Sequence, residues 1–109
     1  MTRASEIIER YGELAEALSR MRQLARSGQW TRLVDLDVHC TRIVAQLRTL
    51  EPLAALEPDE RARVATLIAG IRADQTEIAG LLRPEFARLA RRMQELQRGR
   101  RARAAYAEA

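Results

Sequence analysis

A chain of 109 residues makes one domain, hiding only about two-thirds of its unfolded surface, which excludes a deeply enclosed active site. Five Gly and three Pro are too few for a succession of short strands and turns, so the 47% hydrophobic content points to an all-α fold. The net charge is +4, the single Cys40 excludes an internal disulfide framework and fits a reducing compartment, and neither a membrane span nor a signal-peptide core is readable, so a cytoplasmic location is expected.

The first helix can be capped by Thr2 or Ser5, with Glu6 and Glu9 where the helix dipole favours acids, and it should run to about Arg26. Its apolar seam is Ile7, Tyr11, Leu14, Leu18, Met21 and Ala25; Glu6 with Arg10 and Glu16 with Arg20, four apart, mark the outward face. Gly28 closes the helix in a left-handed conformation, and Trp30 pins the corner that follows. The result is a helical hairpin. The second helix starts near Gln29 or Trp30 and stops before Pro52. Leu33, Leu36, Cys40, Ile43, Leu47 and Leu50 form its seam, while Trp30, Val34, Val38 and Val44 supply a second stripe able to face a third helix.

Residues 51–57 read as a connection, and Pro58-Asp59-Glu60 as a fresh helix start with proline at its first position and acids in its first turn. The third seam runs Val64, Ile68, Ile71, Gln75, Ile78, Leu82, Phe86, Leu89, Met93, Leu96. Two successive four-residue steps meet at Leu82, a stutter that rotates the apolar face. Pro84 lies inside it and opposes the carbonyl of Gly80, predicting a kink, or a break, at residues 80–84. The expected architecture is an antiparallel bundle of three long helices over residues 1–97, with residues 98–109 as a short fourth helix or basic tail.

Charge is unevenly distributed. Residues 1–60 hold eight Arg against ten acids, and residues 61–109 hold eleven Arg against five, with Arg98, Arg100, Arg101 and Arg103 close together. Such a run can neutralise phosphates, but no aromatics are interleaved for base stacking, and arginines at a helix C-terminus are favoured by the dipole alone. Catalytic chemistry is thin. One His and one Cys cannot assemble a metal centre, so Asp35 and His39 are read as a solvated pair and Cys40 as a structural thiol on an apolar seam. No nucleophile with an oriented base and no glycine-rich phosphate loop is readable, so neither enzyme activity nor a cofactor is expected. Apolar stripes on the second and third helices exceed what so small a domain can cover, which marks a groove for a partner.

The run Leu24-Ala25-Arg26-Ser27-Gly28-Gln29-Trp30-Thr31-Arg32-Leu33 resembles the corner between the first two helices of FliT-type flagellar export chaperones. Ile78-Ala79-Gly80-Leu81-Leu82 ahead of a long amphipathic helix, and the late Ala105-Tyr106 pair, are similar to that family's second half. The resemblance implies a chaperone of type III flagellar export that binds the C-terminal segment of the filament-cap protein FliD and delivers it to the export ATPase complex. Some similar proteins also bind the flagellar master regulator and lower flagellar gene expression. Carried onto this chain, the groove would involve Ile68, Ile71, Gln75, Ile78 and Leu82 with part of the second helix. The segment with Arg98, Arg100, Arg101, Arg103 and Tyr106 would form a lid over it. A nucleic-acid-associated helical regulator and a coiled-coil oligomerisation module are the alternative readings, and self-association stays open.

Overall fold

The computed structural model describes residues 3–50 and 56–108. Among them three α-helices form: α1 (Arg3–Arg26), α2 (Trp30–Arg48) and α3 (Pro58–Glu108). Thr2 and most of the connection, Pro52 included, lie outside the described residues, while Ser5 falls inside α1 rather than capping it. The chain divides into two compact units, Met1–Ala79 and Gly80–Ala109.

The corner between α1 and α2 follows from local chemistry. Gly28 has φ +69°, the Gln29 amide donates to the Leu24 carbonyl at 2.9 Å, and the Gly28 amide to Ala25 at 3.2 Å. This is a Schellman closure, with glycine where an L side chain would meet its own backbone. Gln29 then caps α2 without a side-chain capping hydrogen bond, its side-chain Nε2 instead donating to Ser27 Oγ at 2.9 Å. At the start of α3 the Glu57 amide donates to Glu60 Oε1 at 2.9 Å, half of a capping box. Pro58 opens the helix with no amide to satisfy.

In the first unit α1 buries Ile7, Leu14, Ala17, Leu18, Met21 and Ala25, and α2 buries Leu33, Cys40 and Ile43. Met21 Sδ and Cys40 Sγ meet at 3.5 Å between the two helices. Burial, reinforced by the carboxylate of Asp37, pushes the Cys40 thiol pKa up, so near neutrality it packs as a thiol. The opening turns of α3 join through Val64, which clusters with Ile7 and Leu56 beneath Ile8, Tyr11, Leu50 and Ile68. Further along, Arg22 pairs with Asp74 at 3.1 Å and Arg26 with Glu77 at 2.6 Å. These partly exposed pairs set the register of α1 on α3 more than they stabilise it.

Several details depart from the sequence expectations. Arg10 donates to Glu13 at 2.8 Å, three residues on. In the second stripe of α2, Val34 and Val38 are exposed while Trp30 and Val44 are half-buried. α3 does not break at Pro84, and residues 98–108 continue it, so no separate fourth helix forms among the described residues. One missing hydrogen bond and the clash at Gly80 cost about 3 kcal/mol, and a long run of Arg, Ala, Leu, Glu and Gln on both sides sustains the helix.

Trp30, the first residue of α2, is only half-buried. Trp30→Ala should therefore cost about 1–2 kcal/mol in urea denaturation, below the roughly 3–5 kcal/mol of a fully buried aromatic. A loss in that upper range would show that the corner depends on the indole more than its exposure allows.

Candidate partner-docking surface

In the second unit, α3 carries an apolar repeat of its own. From Leu82 the apolar residues step 4, 3, 4, 3 through Phe86, Leu89, Met93 and Leu96, the spacing that holds a narrow seam on one side of a helix. Phe86 is 64% exposed, and Leu89, Met93 and Leu96 are each 55% exposed. Four large apolar side chains in line on one face are more than scattered surface hydrophobics explain, and such a strip marks an interaction surface. Leu82, at its start, is half-buried.

The residues singled out from sequence are distributed differently. Val64 is 1% exposed, and Ile71 and Ile78 are each 6% exposed, all part of the first unit's core. Ile68 is half-buried against the Ile7–Val64 cluster, and Gln75 is exposed. Of the five groove residues, four belong to the first unit and Leu82 to the second. Arg98, Arg100, Arg101 and Arg103 are exposed, and Tyr106 is 84% exposed. Sequence reasoning reached Phe86, Leu89, Met93 and Leu96 as seam but did not select them as the surface. The stutter at Leu82 was the available signal, because the 4, 3 stepping is regular on either side of it and the stutter alone marks where the apolar face rotates.

A second concavity, a cleft of about 560 Å³, lies along α1 and α2 and is lined by Arg20, Leu24, Arg32, Asp35 and Leu36 among others. Its guanidinium and carboxylate groups are mixed, and its lining offers no nucleophile beside a base. His39 and Asp35 are exposed, and no group of three or more metal-ligating side chains occurs among the described residues. No described helix is long and apolar enough to cross a membrane.

With this geometry in hand, comparison with known proteins gives a consistent answer. The family model for the flagellar protein FliT matches residues 8–108. The crystal structure of the flagellar protein FliT from Bordetella bronchiseptica is similar, with a TM-score of 0.71 and 27% identity over 77% of this chain and 94% of that one. No curated protein matches.

Proposed function

This chain belongs to the FliT family of flagellar proteins, and from that premise we propose that it is an export chaperone, holding the C-terminal segment of the filament-cap protein FliD until type III export. The supporting observation is the bare strip Phe86, Leu89, Met93, Leu96, an apolar face that a client segment can cover as a helix laid along it. Covering a client's assembly segment in this way keeps it soluble and unassembled. No bond is made or broken in this task, and no cofactor enters it. The reading places the chain in the cytoplasm, handing its client to the export ATPase complex. Contact with the flagellar master regulator would be a further use of exposed apolar surface, since a protein already holding a client has less of it free.

The docking strip differs from the groove expected on sequence grounds. Ile71 and Ile78 are committed to the core, so the client surface begins at Leu82 and continues to Leu96. Titrating a synthetic FliD C-terminal segment into the full-length chain by calorimetry tests the proposal. Saturable one-to-one binding at micromolar concentration or tighter, about −8 kcal/mol, is expected. Binding no stronger than millimolar would overturn it.

A further inference from the structure

The strip also specifies the charge of what covers it. Beyond Leu96 the 4, 3 stepping continues, but the next two seam positions are Arg100 and Arg103, both exposed. Arg103 Nε reaches back to the Gly99 carbonyl at 3.4 Å, laying its side chain along the helix. Gly80–Ala109 holds eight arginines against three acids, a net charge of +5.

These facts discriminate among occupants. A second copy is opposed in either orientation. Side by side and in register, it sets Arg100 against Arg100 and Arg103 against Arg103 within the seam, and end to end about the Leu89–Met93 midpoint it brings Arg92 beside Arg92. A lipid surface calls for a broad apolar face. Here the seam is two positions wide per heptad, flanked by Arg83, Glu85, Arg92 and Gln97, the width of a helix–helix contact.

We propose that residues 82–103 of α3 dock an acidic amphipathic helix, whose apolar seam covers Phe86, Leu89, Met93 and Leu96 and whose next two layers carry carboxylates facing Arg100 and Arg103. The apolar layers supply affinity. The two arginine layers fix register and reject basic helices, because a like charge facing them would be buried unpaired. This inference deepens the chaperone reading by naming the client's chemistry and rests on the strip being the client surface, but not on the client being FliD.

Two synthetic helical peptides with identical apolar heptads, one with Glu and one with Lys in the two terminal layers, test it against the full-length chain by fluorescence anisotropy. The Glu peptide should bind about 10-fold tighter or better at low salt, with the gap narrowing as salt rises. Arg100→Glu with Arg103→Glu, shown to be helical by circular dichroism, should invert that preference. Equal affinity for the two peptides, or an uninverted preference in the variant, overturns the inference. So does micromolar self-association in sedimentation, or binding to anionic phosphatidylglycerol vesicles that outcompetes the Glu peptide. The FliD segment run in parallel separates the two readings: Glu-peptide binding without FliD binding removes the client assignment and keeps the strip, and the reverse removes the acidic-helix requirement alone.

Discussion

Ile71→Asp is expected to unfold the first unit rather than loosen a surface contact. Ile71 is 6% exposed and belongs with Val64 and Ile78 to the face of α3 that closes the core. Replacing it removes a buried aliphatic worth about 2–3 kcal/mol and puts a carboxylate into an apolar core, costing several kcal/mol more unless the group is protonated. The total rivals the whole stability of a domain this size, about 5–15 kcal/mol. Loss of the cooperative thermal transition at pH 7, with partial recovery as the pH falls and the carboxyl protonates, is the result that circular dichroism should give. A variant that melts like the parent would place Ile71 on the surface and return it to the candidate groove.

Leu89→Asp combined with Met93→Asp should do the opposite. Both side chains are 55% exposed, so the folded chain loses little, and the melting temperature should stay within a few degrees of the parent. Both stand at the middle of the proposed strip, where central apolar anchors carry most of an interface's energy. Two charges there should weaken binding of the FliD segment by about 100-fold or more, a change of roughly 2.7 kcal/mol in calorimetry. An unchanged dissociation constant in the folded variant would clear the strip of any role in client binding. The contrast with Ile71 matters because both sets lie on the same helical seam and differ only in what covers them.

That contrast also marks where reading residues in order stops being sufficient. The corner at Gly28 was legible because it is local: a glycine after Ser27 and an apolar repeat on either side require a left-handed closure whatever the rest of the chain does. The same holds for the start of α3, where Pro58, Asp59 and Glu60 satisfy the first turn from within it. Trp30 was legible as a corner residue but not in its exposure, which depends on how much of the indole its neighbours reach.

Helix identity, the corner between α1 and α2, the start of α3 and the positions of the apolar seams were determined by the sequence itself, since caps, turn residues and 3.6-residue periodicity act over a turn or two of chain. Two matters were decided only in the structure. One was the continuity of α3 through Pro84, where the cost of a proline is set against the helical preference of its surroundings. The other was which part of the third seam is core. α3 has 51 residues against the 24 of α1. A periodicity is the same along its whole length, but the apolar area available to cover it is finite. Val64, Ile71 and Ile78 are therefore buried while Phe86, Leu89, Met93 and Leu96, in the same pattern, stay bare.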